Sequence, residues 1–282
     1  MSTQPAGVVI AAGGLGTRVN NWSPFLPKEF RPVGGSPGLV HVLAEAAATG
    51  IQHAVVVHHP YYTPFIEWTR QLFVPGALAH YQELAQQPQP AESLTDDLRV
   101  DWIAQRGRYA DITSALNGSQ HLRSADVCLA FSDNVDPHRT ALNDLVAATA
   151  PDTPAVLAAP FNFRSAPSHG VIICTGTGPV RTMAALVEKP DPLHAKQLAA
   201  EHGPDALRLL LGRVRLTPGL LHHMSAAARR TITEPRLSLA LAAYARHHRV
   251  DVITHETPMV DLGAPEPVRT ASCNQPALRQ HS

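Results

Sequence analysis

Four valine-rich apolar runs, each long enough for one strand, most strongly limit the folds open to this chain. They are GVVIAA (7–12), HAVVVHH (53–59), VCLAFSD (127–133) and AVLAAPF (155–161). Apolar residues follow one another in these runs without polar alternation, so both faces of each strand are expected to be covered. Strands of this kind are typical of the parallel sheets of α/β proteins.

A helix is expected between the first two of these strands. Its apolar residues share one helical face and Gly50 ends the segment; they are Leu39, Val42, Leu43 and Ala46. This arrangement predicts a β-α-β unit. Further strand-sized or helix-sized segments are HGVIICT (169–175), LVEKP (186–190), LLLGRVRLT (209–217), SLALAAYARHH (238–248) and VDVITHE (250–256). We therefore predict an α/β fold with a Rossmann-like, mixed, mainly parallel sheet and helices on both of its faces.

The composition narrows the functional classes. Of 282 residues, 44% are hydrophobic, enough for a sizeable core, and 23 basic residues balance 23 acidic ones. This balance argues against nucleic acid as a partner, and no apolar run approaches the roughly 18 residues that span a bilayer. The amino-terminal MSTQPAG lacks the features of a signal peptide, so we expect a cytoplasmic protein without a membrane partner.

The pattern of the chain suggests one domain over residues 1–271 and a flexible tail at 272–282. Within the domain, the proline-rich and polar segment 60–98 is expected to form a helix and a surface-loop insertion. The three cysteines lack the spacing of a zinc site or a disulfide framework, so we interpret them as packing residues or free thiols. The sequence leaves the oligomeric state open, a homo-oligomer included.

The first strand runs directly into GGLGTR (13–18), which combines bare backbone with positive charge. Glycines let backbone N–H groups approach an anion closely, and Arg18 and Lys28 add two positive charges. A polyphosphate is therefore the expected ligand of this glycine loop. An ordinary glycine-rich turn between a strand and a helix is the alternative.

Two common phosphate-binding motifs are excluded at single positions. A Walker loop needs Gly-Lys-Ser/Thr at its end, whereas here Gly16 is followed by Thr17 and Arg18. The dinucleotide motif G-x-G-x-x-G, started at Gly14, would need a third glycine where Val19 stands. A dinucleotide-dependent oxidoreductase is therefore disfavoured.

The glycine loop, followed by PKE (27–29), resembles the sugar-phosphate nucleotidyltransferases, and PKE is most similar to their UTP:glucose-1-phosphate uridylyltransferase branch. The resemblance continues in family order through FSDN (131–134), HGV (169–171), VEKP (187–190), LGRVRLTPGLL (211–221) and VDLGAP (260–265). It implies the nucleotide-diphospho-sugar transferase fold and an enzyme in which a sugar-1-phosphate oxygen attacks the α-phosphorus of a nucleoside triphosphate. The products would be a nucleotide sugar and pyrophosphate. Such chemistry needs alignment and charge neutralisation more than a general base.

By this resemblance, the glycine loop would bind the triphosphate. The nucleotide-binding residues would be Ala12, Gly13, Gly14, Gly16 and Thr17. Arg18 would lie over the departing pyrophosphate and Lys28 near the phosphates being joined, so both would be catalytic. Glu29 would orient its neighbours on the sugar-phosphate side.

The resemblance also implies a Mg²⁺ ion held by two carboxylates. Asp133 ends an apolar strand at the edge of the sheet where ligands of open α/β folds bind, and it would be catalytic as well as a metal ligand. Asp261, in VDLG, resembles the second metal carboxylate. Two carboxylates with phosphate oxygens suit a hard octahedral ion. Either aspartate taken alone is equally a turn or cap residue, and Asp136 is interpreted as a cap before Pro137.

Later motifs would bind the sugar phosphate. Gly170 would let the sugar approach the backbone, Glu188 would accept hydrogen bonds from sugar hydroxyls, and Lys189, also assigned a catalytic role, would pair with the phosphate. A solvated Glu-Lys pair is the alternative for these two charged residues. Arg213 is placed near the sugar, with a salt bridge as an equal alternative, and His169 stands where the family usually has an aromatic residue.

The base would be read within AQRGRYADITSA (104–115), by Gln105, Arg106 and Asp111. The family's base-reading glutamine falls on Arg106, or on Gln105 after a shift of one residue, and a usual glycine falls on Asp111. UTP is the first choice. GTP remains open, because a carboxylate at position 111 can accept from N1–H and N2–H of guanine while Arg106 donates to O6. The alternative is that Asp111 caps a helix that starts at Ile112.

The sugar and the activity itself also have alternatives. SLALAA (238–243) replaces a family motif that usually contains Thr-Asp, so an unusual sugar stays open, a deoxysugar or cyclitol phosphate included. A non-catalytic module that binds a nucleotide or a sugar phosphate is the second functional class. The presence of both Asp133 and Asp261 favours the enzyme, because such a module has no physical need for two metal carboxylates.

Overall fold

A computed structural model of the chain describes residues 4–16, 27–33, 36–72, 98–232 and 234–263. The strands in these ranges are β1 (Val8–Ala12), β2 (Pro32–Val33), β3 (Ser36–Pro37), β4 (His53–His58), β5 (Arg99–Ala104), β6 (Val127–Phe131), β7 (Asn134–Val135), β8 (Ala155–Pro160), β9 (Gly170–Thr175), β10 (Val180–Glu188), β11 (Leu207–Leu216), β12 (Asp251–Thr254) and β13 (Val260–Asp261). The α-helices are α1 (Gly38–Ala48), α2 (Thr63–Leu72), α3 (Asp111–Leu122), α4 (Ala141–Ala147), α5 (Pro192–His202), α6 (Pro218–Arg230) and α7 (Leu237–Ala245). Short 3-10 helices span Lys28–Phe30, Pro60–Tyr62, Ala166–Ser168 and Pro204–Ala206.

Nine of the described strands form one mixed sheet, in the order β5-β4-β1-β6-β11-β8-β12-β10-β9, and β11 also pairs with β9. Pairing is parallel from β5 through β4 and β1 to β6, and again between β8 and β12. The other neighbours are antiparallel: β9 and β10 form a hairpin, β10 runs against β12, and β11 runs against β6, β8 and β9. The predicted α/β fold with a mixed sheet is confirmed, and its parallel part lies where the valine-rich runs are.

Side-chain alternation along β1 divides the core between the two faces of the sheet. Val8 and Ile10 belong to a buried cluster with α1 and α4, whereas Val9 between them belongs to a second cluster with α3, α6 and α7. All three side chains are fully buried. A strand covered on both sides needs apolar residues at every position, which accounts for the unbroken run. Helices therefore cover both faces, as predicted.

Strand β5 was not predicted. Its sequence RVDWIA carries charges at Arg99 and Asp101, and its side chains are only partly buried, because β5 is an edge strand paired with β4 alone among the described strands. Polar residues are usual on edge strands, so no apolar run marks this one. In the segment 60–98, residues 63–72 form α2, whereas 73–97 and the tail 272–282 lie outside the described residues. None of the described helices is long and apolar enough to cross a membrane.

Candidate functional site

Several loops meet at one edge of the sheet, because β1, β4, β5 and β6 run parallel and end there. The glycine loop (described through residue 16) follows β1, Gln105 follows β5, and a turn with Asp133 follows β6. Ligands of open α/β folds bind at the carboxyl edge of parallel strands. Strand direction thus brings together groups that are distant in sequence.

The glycines of this loop leave room for the close approach of the chain's own side chains. A Cβ on Gly13 would lie 2.7 Å from Gln105 Oε1, and a Cβ on Gly14 would lie 2.7 Å from Lys28 Nζ. Gly16 has a φ of 62°, in the left-handed region that favours glycine. The loop therefore lies directly against an amide and an ammonium group that are both candidates for ligand contact.

Lys28 forms an ion pair with Asp133, and both side chains are largely buried. Burial by itself lowers the pKa of Lys28, but the carboxylate of Asp133 raises it well above its usual value. Lys28 therefore stays positively charged at neutral pH. Its ammonium group lies between the glycine loop and the strand-end carboxylate.

Glu29 supports the same loop from beneath. Its side chain is fully buried, and its carboxyl group accepts a hydrogen bond from the backbone N–H of Gly14. Burial raises the pKa of Glu29 to about 8, and the positive charge of Lys28 only partly offsets this effect. Glu29 Oε2 has no hydrogen-bond partner among the described residues. Glu29 therefore holds the backbone of the glycine loop and lines the cavity beside it, so its predicted place on the sugar-phosphate side is corrected.

Gln105 lies against the glycine loop, whereas its neighbour Arg106 lines a different cavity. Gln105 is buried against Gly13, accepts a hydrogen bond from Ser114 Oγ at 2.9 Å and donates from Nε2 to the carbonyl of Arg108 at 3.3 Å. Arg106 is exposed and lines a separate cavity, beside Asn117 of α3. The prediction that Arg106 contacts the base is corrected: it lies on the other side of the chain from Gln105, as adjacent residues of an extended segment do.

Asp111 is the first residue of α3, so the helix begins one residue earlier than the capping interpretation required. Asp111 Oδ1 accepts hydrogen bonds from the backbone N–H of Ile112 at 2.7 Å and of Leu237 at 2.9 Å. The second bond joins the start of α3 to the start of α7. Burial raises the pKa of Asp111 to about 6, although both backbone hydrogen bonds lower it.

The two predicted metal carboxylates are brought together by a short antiparallel ladder. Strand β7 pairs with β13 so that Asn134 faces Asp261, and the backbone N–H of Leu262 donates to the carbonyl of Asp133 at 2.7 Å. Asp261 Oδ1 accepts the backbone N–H of Gly263 at 2.7 Å. Asp133 and Asp261 line one cavity of about 210 Å³.

Asp136 is not part of this pair. Its carboxylate accepts backbone hydrogen bonds from His138, Thr140 and Ala141 at 2.7–2.9 Å, just before and at the start of α4. Burial raises its pKa, but these hydrogen bonds together hold it below the ordinary value. The capping interpretation of Asp136 is therefore confirmed.

The cavity lined by Asp133 and Asp261, which we call the Glu188 cavity, is also lined by Asn134, His169, Gly170, Glu188 and Lys189. A Cβ on Gly170 would lie 3.5 Å from Glu188 Oε2, and Lys189 Nζ lies 3.8 Å from Glu188 Oε1. The imidazole of His169 donates from Nδ1 to the carbonyl of Ser165 at 2.9 Å. Lys189 has a φ of 42°, a conformation that side chains rarely adopt and that the turn after β10 imposes.

A second cavity of about 220 Å³, the glycine-loop cavity, is lined by Gly13, Gly14, Lys28, Gln105, Asp111 and Asp133. Asp111, Phe131 and Asp133 line both this cavity and the Glu188 cavity. A third, outer cavity of about 550 Å³ is lined by Gly14, Leu15, Gly16, Lys28, Lys189 and Arg236. The three cavities therefore share parts of their walls, and Asp133 lines the first two.

Arg213 requires a correction. Its guanidinium group is fully buried and forms a two-pronged ion pair with Glu45 of α1, with Nη2–Oε2 at 2.6 Å and Nε–Oε1 at 2.9 Å. Its neighbour Gly212 lines the Glu188 cavity, and alternation along β11 turns Arg213 to the opposite face. Arg213 therefore acts in the core beneath the site, as its salt-bridge alternative stated.

The prediction that Ala12 binds the nucleotide is corrected: its side chain is buried in the core and it does not line the glycine-loop cavity, whereas Ala11 does. Thr17 and Arg18 lie outside the described residues.

Several lining residues were not predicted, notably Tyr109, Glu234 and Arg236. Tyr109 stands inside the segment already selected for base reading, so its position was the available signal. Glu234 and Arg236 precede α7 in a segment without a motif, and only the packing of α7 against α6 and β10 brings them to the outer cavity.

Comparison with known proteins gives one short sequence match and many structural ones. No family model matches the sequence. A mannose-1-phosphate guanylyltransferase from Mycobacterium tuberculosis is 38% identical over 56 residues, which is 20% of this chain and only 16% of that protein's length. This match covers too little of either chain to fix the family.

The structural matches extend over nearly the whole chain. A UDP-glucose pyrophosphorylase solved with UDP-glucose superposes with a TM-score of 0.75 at 17% identity, covering 95% of this chain and 97% of the other. A UTP-bound UGPase from Acinetobacter baumannii gives 0.73 at 16% identity, with 95% and 92% covered. A putative glucose-1-phosphate thymidylyltransferase from Bacillus anthracis gives 0.64 at 13% identity, with 94% and 93% covered. This chain therefore has the fold of solved sugar-nucleotide pyrophosphorylases, as the resemblance of its motifs implied.

Proposed function

We propose that this protein is a sugar-1-phosphate nucleotidyltransferase that joins a sugar-1-phosphate to a nucleoside triphosphate and releases pyrophosphate. One observation carries the proposal: Asp133 borders both the glycine-loop cavity and the Glu188 cavity, with Lys28 paired to it. Two anionic substrates, one in each cavity, would meet at this point. Their repulsion is what a nucleotidyl transfer must overcome.

The glycine-loop cavity suits the triphosphate. Gln105, held against Gly13, keeps one amide N–H and one oxygen lone pair beyond its bonds to Arg108 and Ser114, and these match a donor and an acceptor of uracil, so UTP is the first choice. Lys28 would neutralise the α-phosphate, since its charge is secured by Asp133. Gly14, Gly16, Thr17 and Arg18 would surround the remaining phosphates.

The Glu188 cavity suits the sugar phosphate. Glu188 would accept hydrogen bonds from sugar hydroxyls, and Lys189 would hold the phosphate whose oxygen attacks. Gly170 keeps this wall free of a side chain that would stand against Glu188. The attacking oxygen is already an anion, so these residues position it and need not remove a proton.

A divalent cation fits the donor set at the meeting point. Asp133 and Asp261 line one cavity, and within the described residues no group of three or more histidine, cysteine or acidic side chains could hold a metal. Two carboxylates, completed by phosphate oxygens and water, suit Mg²⁺ better than a metal that needs a full protein cage. When bound, Mg²⁺ would neutralise charge that develops on the phosphates.

GTP is the second candidate triphosphate, favoured by the short match to a mannose-1-phosphate guanylyltransferase. Against it, Arg106, which was to donate to guanine O6, lines a separate cavity. Asp111 Oδ1 also already accepts two backbone hydrogen bonds.

The test is pyrophosphate release from UTP and GTP, each offered with glucose-1-phosphate, mannose-1-phosphate and a deoxysugar-1-phosphate in the presence of Mg²⁺. Asp133→Asn should lower the rate by roughly 100-fold or more, because the lost carboxylate stabilises the transition state by several kcal/mol. Asp152→Asn, a change in an exposed turn, is the matched control and should keep the wild-type rate. Triphosphate binding without pyrophosphate release from any pair would favour the non-catalytic module, and a fully active Asp133→Asn would remove Asp133 from the chemistry.

A further inference from the structure

We propose that Tyr109 is a positioning residue whose hydroxyl accepts the hydrogen bond of a glycine-loop N–H that would otherwise bind phosphate. A bound triphosphate would displace this hydroxyl. The proposal rests on the proposed function and adds to it. Tyr109 Oη accepts a hydrogen bond from the backbone N–H of Leu15 at 3.1 Å. Both residues line the outer cavity, beside Gly16, Lys28 and Lys189.

A second tyrosine bonds the other end of the same peptide unit, as a donor rather than an acceptor. Tyr62 donates from its hydroxyl to the carbonyl of Gly14 at 3.1 Å. The ring of His59 lies next to both tyrosines, with centroids 5.9 Å from Tyr62 and 6.0 Å from Tyr109. Three aromatic rings therefore pack beside the loop, and two of them bond its backbone.

Of the hydrogen bonds that Tyr109 and Tyr62 make with the loop, a phosphate can replace only the one in which the tyrosine is the acceptor. Phosphate oxygens only accept hydrogen bonds, so they compete for the N–H of Leu15 and leave the carbonyl of Gly14 alone. Tyr109 Oη thus stands where a phosphate oxygen would accept, whereas the bond from Tyr62 can persist in the complex. Tyr109 is also 40% exposed and can leave the loop without uncovering the core.

Opposite effects on triphosphate affinity follow from this difference. Tyr109→Phe removes the competing acceptor, and UTP should bind roughly 2- to 5-fold more tightly, within the range that one neutral hydrogen bond is worth. Tyr62→Phe removes a bond that orders the loop in both states, and UTP should bind roughly 2- to 10-fold more weakly. Tyr61→Phe, which removes a hydroxyl from a side chain that is 67% exposed, is the control and should change neither value.

Titration of UTP by calorimetry and amide hydrogen exchange of Leu15 by NMR provide the test. In the free wild-type protein the Leu15 amide should be protected, and Tyr109→Phe should speed its exchange. The KM for UTP should follow the binding affinity in each variant, whereas the KM for the sugar phosphate should stay constant.

Unchanged or weaker UTP binding in Tyr109→Phe would overturn the proposal, as would an unprotected Leu15 amide in the wild-type protein. Failure of the proposed function is separate from either result. It would appear as absence of pyrophosphate release by the wild type, whereas the exchange measurement needs no substrate and reports the Leu15–Tyr109 bond directly.

Discussion

Removal of the Arg213 guanidinium should destabilise the fold and leave ligand recognition intact. In Arg213→Met the Glu45 carboxylate, with a side chain 0% exposed, would keep one hydrogen bond, the backbone N–H of Leu142 at 2.8 Å. Arg213 also donates to the carbonyls of Phe131 and Gly212, at 3.3 and 2.9 Å, so these acceptors would lose their donor as well. Leaving one partner of a buried ion pair without the other costs about 3–5 kcal/mol.

Such a loss is large beside the total of about 5–15 kcal/mol by which folded domains are usually stable. Denaturant unfolding should therefore show a clearly lower midpoint for Arg213→Met at an unchanged slope. Arg229→Met, in an exposed part of α6, is the matched control and should change the free energy of unfolding by less than about 0.5 kcal/mol. The double variant Glu45→Leu/Arg213→Met should recover part of the loss, because no unpaired charge remains buried.

The affinity of folded Arg213→Met for a sugar-1-phosphate separates the core role from a role in the site. We expect it to equal the wild-type affinity under conditions where the variant is folded. A variant with wild-type stability and lost sugar-phosphate binding would refute the assignment of Arg213 to the core.

Two further predictions concern the walls of the cavities. Burial raises the pKa of Asp111 from 3.8 in the unfolded chain to about 6 in the folded protein, so ionisation of Asp111 lowers the free energy of unfolding. This loss of stability grows as the pH rises from about 4 through 6 and is complete above that range. Each unit of pKa corresponds to about 1.4 kcal/mol, so Asp111→Asn should stabilise the protein at pH 8 by at most about 3 kcal/mol and have little effect at pH 4, as thermal unfolding at both pH values can show. Glu188→Ala should weaken sugar-phosphate binding at least about 10-fold and leave triphosphate binding unchanged, because one charge-assisted hydrogen bond is worth about 1.5–3 kcal/mol. Separate titrations decide this, with the exposed Glu201→Ala as control; equal losses for both ligands would move Glu188 away from the sugar.

Local sequence was sufficient to predict the strands that are buried on both faces. The runs at 7–12 and 127–133 contain β1 and β6 because strands covered on both faces need continuous apolar sequence. The position of Asp133 at a strand end, and hence at the ligand edge of the sheet, followed from the same pattern. The edge strand β5 was not predicted, because its partly exposed side chains include charged residues and so form no apolar run.

Register and long-range pairing were decided by the tertiary structure alone. Gln105 rather than Arg106 faces the glycine loop because adjacent residues of an extended chain point to opposite sides, and sequence does not fix which side faces the ligand. Arg213 lies in the core because α1 buries its Glu45, distant in sequence, against the face of β11 that carries Arg213. Asp133 and Asp261 line one cavity because β7 pairs with β13. Sequence thus determined what each segment can become, whereas the partners of its polar groups depend on contacts between segments that no local pattern encodes.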